Sequence, residues 1–280
     1  MILYKALKVI IMIYSDLFDL HTHSVHSFDG NHSVEKMCKS AIEKGITAIT
    51  ITDHCDIDGE GTDFNLLFEK QFADIAACRE KLSDKLKIYS GIELGQGIYR
   101  KAEAEALLNK FSFDFVLGSI HNIENKQDYY FIDYNNADVY ELLDEYIDAI
   151  TQLCEWGNFD SLAHLTYPLR YIEGKYKIDV DLSRFSAKID NILKLLINNE
   201  KALEINTSEI SRELADFMPA AKVVSRYREL GGNYITLGSD SHFAERIGSG
   251  IEQGLKMAQD CGFEYQTVFV ERKPKLIKIK

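Results

Sequence analysis

Short apolar, β-branched runs alternate with longer amphipathic stretches along nearly the whole chain, and this rhythm of βα units constrains the fold more than any other feature. It is not the pattern of a sandwich or a helical bundle. The spacing predicts seven strands, at Leu17–Leu20, Ala48–Thr52, Ile88–Gly91, Phe115–Ser119, Ser161–Ala163, Ala202–Ile205 and Tyr234–Leu237. Each is followed by a stretch with apolar residues at helical spacing: Val34–Lys44, Leu66–Leu82, Lys101–Lys110, Val139–Leu153, Leu182–Asn198, Pro219–Leu230 and Ala244–Ala258. Seven units in 280 residues suit a closed parallel (β/α) barrel, typically of roughly 250 residues. An open doubly wound sheet is the alternative.

With three prolines and no low-complexity tract there is no obvious interdomain linker, so residues 16–280 are read as one barrel domain and 1–15 as an N-terminal extension. In that extension Lys5 and Lys8 precede the apolar run Val9–Tyr14, which is short and lacks a small-residue cleavage site. Met12 is an alternative start, which would make residues 1–11 an upstream segment. No run approaches a membrane span. The 44 acids against 32 bases leave a charge of −12, a repulsive mean field that disfavours nucleic acid as a partner. Cys38, Cys55, Cys78, Cys154 and Cys261 are odd in number and contain no Cys-x-x-Cys pair, which argues against a disulfide framework or thiolate zinc site and for a reducing cytoplasm.

Six of the eight histidines stand at or just past predicted strand ends: His21, His23, His54, His121, His164 and His242. Acids accompany them, with Asp19 in Asp-Leu-His-Thr-His, Asp53 in Thr-Asp-His, Glu93 in Gly-Ile-Glu and Asp240 in Gly-Ser-Asp-Ser-His. In a parallel barrel all strand C-termini converge on one face, so these distant residues would form one cluster. A lone histidine is most often a satisfied buried or surface imidazole; six at equivalent places are not accounted for that way. Mixed imidazole and carboxylate donors suit Zn, Mn or Fe ions better than Ca or Mg, which ask for mostly oxygen. His21 and His23 alternate by two and would point to the same side of a strand. Gly-Ser-Gly-Ile-Glu-Gln-Gly at 248–254 lacks dinucleotide-binding spacing, and there is no Walker loop or Gly-x-Ser-x-Gly elbow.

The sequence resembles the polymerase and histidinol phosphatase (PHP) family of metal-dependent phosphoesterases. His-Thr-His, Ser-Phe-Asp-Gly, Thr-Asp-His, Gly-Ile-Glu, Gly-Ser-Ile-His, Ala-His and Gly-Ser-Asp-Ser-His occur in order between residues 19 and 242. Length, the absence of a polymerase module, and the stretches His-Leu-Thr-Tyr-Pro-Leu-Arg and Glu-Ile-Asn-Thr-Ser are similar to its histidinol-phosphatase branch. The resemblance implies a distorted seven-stranded barrel and two or three divalent transition-metal ions. His21, His23, Glu93 and Asp240 would hold a first ion, and Glu93 would bridge to a second held by His121 and His164. Asp29, with His26 as the competing choice, would hold a third with His54 and His242. Asp19 and Asp53 would orient imidazoles without ligating, and His32 would be structural or at the surface.

The resemblance further implies a small phosphomonoester substrate, L-histidinol phosphate, and a metal-bridging hydroxide as nucleophile. Glu93, Asp240, His242 and Arg170 would carry the chemistry. Arg170 and Arg212 could fork onto phosphate oxygens, with Asn206 adding a donor; each arginine has the alternative of a solvated surface charge. Tyr129, Tyr130, Phe131 and Tyr134 read as core or lid packing, with a pocket wall as the alternative. Competing readings keep the chemistry with a nucleotide or sugar phosphate, reduce the chain to an idle metal-binding module, or make it an amidohydrolase, for which a carboxylated-lysine position is missing.

Overall fold

The computed structural model describes residues 14–59 and 61–280. Residues 1–13 of the expected extension, Met12 included, therefore lie outside the described residues. Seven parallel strands wind into a distorted barrel: β1 (Phe18–Thr22), β2 (Ala48–Ile51), β4 (Lys87–Gly95), β5 (Phe115–Ser119), β6 (Ser161–Leu162), β7 (Ala202–Asn206) and β8 (Ile235–Gly238). β3 (His54–Asp56) continues β2 after a break at Thr52 and Asp53. β2 pairs with the first half of β4 (Ile51 opposite Ser90) and β3 with the second (His54 opposite Glu93).

The ring closes only at its C-terminal rim, where Thr22 pairs with Ser241, Asp240 N donates to His21 O (2.9 Å or less) and His23 N to Ser241 O. This contact rules out the open sheet. It also brings the first and last chemical motifs together. The helices α1 (Val34–Glu43), α2 (Phe64–Leu82), α3 (Lys101–Lys110), α4 (Val139–Trp156), α5 (Ser186–Asn198), α6 (Ala221–Glu229) and α7 (Ile251–Asp260) follow the expected order. Ser33 caps α1 by accepting from Lys36 N, and Gly157, at φ +67°, ends α4 in the left-handed conformation that favours glycine.

Three boundaries differ from the periodicity by four residues or more, the first being the end of β4, which runs on past Gly91 to Gly95 and so carries Glu93 within the strand. The last helix starts at Ile251 and not Ala244, because Gly248 and Gly250 at φ +73° and +81° break the helical path. Residues 182–185 form a separate 3₁₀ turn before α5. A C-terminal hairpin, β9 (Tyr265–Val270) with β10 (Lys273–Lys278), had no sequence signal. Its turn residues Glu271 and Arg272 sit at φ +51° and +61° without the Asn-Gly or Asp-Gly that usually marks such turns. Val268 and Phe269 pack on Phe18, Ala48, Phe115 and Ala202, the starts of the barrel strands, so the hairpin seals the end opposite the motifs.

Candidate metal centre and active site

The pleat of β1 puts His21 and His23 on one side, both fully buried with ring centroids 5.0 Å apart. Glu93, fully buried on β4, stands between two groups of imidazoles. Its Oε2 lies 2.9 Å from His54 Nδ1, 3.2 Å from His21 Nε2 and 3.5 Å from His23 Nε2. Its Oε1 lies 3.0 Å from His121 Nε2 and 2.9 Å from His164 Nε2. Asp240 Oδ1 approaches His23 Nε2 at 3.4 Å and His21 Nε2 at 3.8 Å. Asp29 Oδ2 is 3.0 Å from His242 Nε2, and Asp29 Oδ1 is 3.7 Å from His54 Nε2. His26 turns away to Asp74, at 2.9 Å. His32 is a structural residue that accepts from Ala244 N at 3.0 Å.

The nine expected ligands are thus contiguous: the donor atoms of eight fall into overlapping sets of three within 4.8 Å, and Asp29 stands at their edge against His242 and His54. His54 stands between groups: Nδ1 faces Glu93 while Nε2 faces His242, 3.2 Å away. His21 Nε2, His23 Nε2, His54 Nδ1 and Glu93 Oε2 are buried yet form no hydrogen bond, although the three nitrogens lie 2.9–3.5 Å from that oxygen. They are aimed at shared points and not at one another. Buried unpaired polar atoms cost about 1–3 kcal/mol each, and a divalent cation at those points satisfies them, so the residues fit the ions expected. His164 and Asp240 hold φ of +23° and +51°, unusual for residues with side chains and concentrated here at two cluster members.

Two acids that sequence reasoning missed orient the imidazoles. Glu204 accepts from His21 Nδ1 at 2.7 Å through Oε1 and from His164 N at 2.7 Å through Oε2. Asp56 lies 3.0 Å from His121 Nδ1. Each had a signal: Glu204 opens the Glu-Ile-Asn-Thr-Ser stretch, and Asp56 sits two residues after His54, on the same side of a strand. Gly238 is required beside them, since an added Cβ would collide with His21 Cβ and Glu204 Oε1. Asp53 acts at one remove, accepting from Ser27 Oγ, which lies 3.2 Å from His23 Nδ1. The expected imidazole role of Asp19 is corrected: it accepts from Ser239 N, Ser239 Oγ and Gly248 N and so fixes the loop after β8. Glu204→Gln places an amide where two donors converge; it is expected to weaken metal affinity about 10- to 100-fold, measured by competition with a chromogenic chelator. Parent-like affinity would remove Glu204 from the orienting role.

Burial opposes charge throughout the cluster, but neighbouring groups reverse it. Glu204, Glu93 and Asp240 hold His21 well above the usual imidazole range despite burial, and Glu93 brings His54 to about 9. Burial, with His54 and His242 nearby, keeps His23 well below that range. Burial would raise Glu93 and Asp240, yet the surrounding imidazoles hold both carboxyls well below theirs. The surroundings thus favour the anionic carboxylates that a cation would need as ligands.

Above the cluster lies a cavity of about 390 Å³. Arg170, which lines it, starts a π-helical turn (Arg170–Lys175), with Nη2 donating to Asp240 Oδ2 at 2.8 Å and Ser208 Oγ at 2.7 Å. The Tyr167 ring packs 5.1 Å from His121, 5.0 Å from His164 and 5.3 Å from the Arg170 guanidinium. Asn206 and Arg212, the other two expected substrate contacts, do not line the cavity. Asn206 is buried below it, donating to Glu204 Oε2 and Asp240 Oδ2 at 3.2 and 3.4 Å. Arg212, 39% exposed, pairs with Glu209. The aromatic segment divides: Tyr129 and Tyr134 are core, whereas exposed Tyr130 and Phe131 wall the cavity.

A model of the PHP domain matches residues 19–208. The chain belongs to the PHP domain family. The match takes in β1 to the loop after β7, while Asp240 and His242 join this PHP cluster through the β1–β8 closure. The chain is 31% identical over 264 residues to the probable histidinol-phosphatase of Clostridium acetobutylicum, covering 92% of this chain and 98% of that protein. It is 30% identical over 267 residues to the histidinol-phosphatase of Lactococcus lactis, covering 93% and 98%. The crystal structure of the L. lactis histidinol phosphate phosphatase, complexed with zinc, L-histidinol and phosphate, superposes with a TM-score of 0.83 at 29% identity, covering 93% of this chain and 99% of that one.

Proposed function

We propose that this PHP protein is a metal-dependent phosphomonoesterase that hydrolyses L-histidinol phosphate. The carrying observation is Glu93, whose two oxygens serve separate imidazole groups on the floor of a cavity that also holds Arg170. His21, His23, Glu93 and Asp240 would hold one ion, Glu93, His121 and His164 a second, and Asp29, His54 and His242 a third. When bound, such ions supply an activated water and neutralise charge on the transferring phosphoryl group. The chain's own contribution is positional. Arg170, held in place by Asp240 and Ser208, offers its guanidinium to phosphate oxygens. Tyr167 buttresses His121 and His164, and Tyr130 and Phe131 narrow the mouth against water.

Full-length relatives that bear the histidinol-phosphatase name support the substrate. No helix among the described residues is long and apolar enough to cross a membrane. A cytoplasmic location is part of the proposal, supported by five free cysteines. The test is turnover of a phosphomonoester panel by metal-reconstituted protein. L-Histidinol phosphate is expected to be the preferred substrate, with activity lost on chelation and regained with Zn, Mn or Fe. Preference for a nucleotide or sugar phosphate would overturn the substrate assignment.

A further inference from the structure

Of the acids lining the cavity, Asp29, Asp56, Glu93 and Asp240 each lie within ion-pair distance of an imidazole. Asp128 does not. Its side chain accepts from Tyr130 N at 2.6 Å and Tyr167 OH at 3.3 Å, both through Oδ1, and it makes no ion pair among the described residues. It is half-buried, and burial pushes its carboxyl above the ordinary range. A desolvated carboxylate without a cation is costly, and beside a phosphate site it also repels the substrate's charge. Its position is nonetheless specific: the Tyr167 ring lies against His121 and His164, and its hydroxyl reaches Asp128. The carboxylate therefore stands one aromatic ring's length from the cluster, flanked by Tyr130 and Phe131.

We propose that Asp128 is a specificity-determining residue that binds an ammonium group carried on the carbon next to the esterified CH2, and so selects amino-bearing phosphomonoesters over sugar phosphates and nucleotides. This deepens the proposed function and rests on it. The cation supplies the charge that Asp128 lacks, and Tyr130 and Phe131 offer faces for an aromatic ring on the same substrate. The alternative is a local role, in which Asp128 only caps the turn Tyr129–Phe131. Asp128→Asn separates the two, because the amide keeps an acceptor for Tyr130 N but loses the charge.

The test compares parent and Asp128→Asn, at matched metal content and melting temperature, on L-histidinol phosphate, on its analogue with hydrogen in place of the amine, and on p-nitrophenyl phosphate. Losing a charge-assisted bond corresponds to a drop of about 10- to 150-fold in kcat/KM, expected on L-histidinol phosphate alone. Asp128→Glu, which keeps the charge, should recover part of it. Equal losses on all three esters, or no loss on any, would overturn the proposal. If the parent cleaves p-nitrophenyl phosphate but neither imidazole ester, the substrate assignment fails by itself. Asp128 is then judged on O-phosphoethanolamine against ethyl phosphate, where loss confined to the amine-bearing ester supports the role and any other pattern overturns it.

Discussion

Glu93→Gln is expected to reduce kcat/KM at least about 100-fold, above the 10- to 100-fold range for losing an outer partner of a metal ligand, and to lower metal content per chain. Both oxygens of Glu93 are in use, one toward His21, His23 and His54, the other toward His121 and His164. An amide has one acceptor oxygen, carries no charge, and must turn its NH2 toward one of those groups. It therefore fails on one side whichever way it lies, and no alternative carboxylate spans the two groups. Elemental analysis alongside steady-state kinetics measures the effect. Near-parent metal content and turnover would show that the two groups of imidazoles do not share this anion.

Arg170→Ala is expected to lose about 10- to 150-fold in kcat/KM on L-histidinol phosphate, the value of a charge-assisted bond to phosphate at 1.4 kcal/mol per decade. Arg170 is 17% exposed and already fixed by Asp240 and Ser208, so little side-chain freedom remains to be lost when phosphate arrives. Lysine should recover only part of the loss, because a point charge cannot reproduce the fork. Kinetics at matched metal loading decide the matter. Parent-like values would make the guanidinium a support for Asp240 and not a phosphate ligand.

Much of this was legible in the sequence, for a physical reason in each case. The seven βα units were visible because buried parallel strands need continuous apolar runs and their helices need one apolar face, both of which leave periodic marks. The cluster was visible because the C-terminal ends of parallel strands meet on one face, so His21, His54, Glu93, His121, His164 and Asp240 could be gathered from their place in each unit alone. Where local marks were missing, so was the reading. The β9–β10 hairpin turns through left-handed Glu271 and Arg272, and its packing value lies entirely in covering distant strand ends.

The sequence by itself determined the order of the parallel βα units and which residue types stand at the strand ends; the contact of Thr22 with Ser241 decided a barrel over an open sheet. Tertiary structure alone decided which way each side chain points. It took Asn206 beneath the floor, sent Arg212 to Glu209, turned His26 to Asp74, and made Glu204 and Asp56 the partners of His21 and His121. These outcomes depend on contacts between residues far apart in the chain, such as the 183 positions separating His21 from Glu204. Periodicity records only the side of its own strand or helix on which a residue lies; the partner it meets there is set by how the barrel closes.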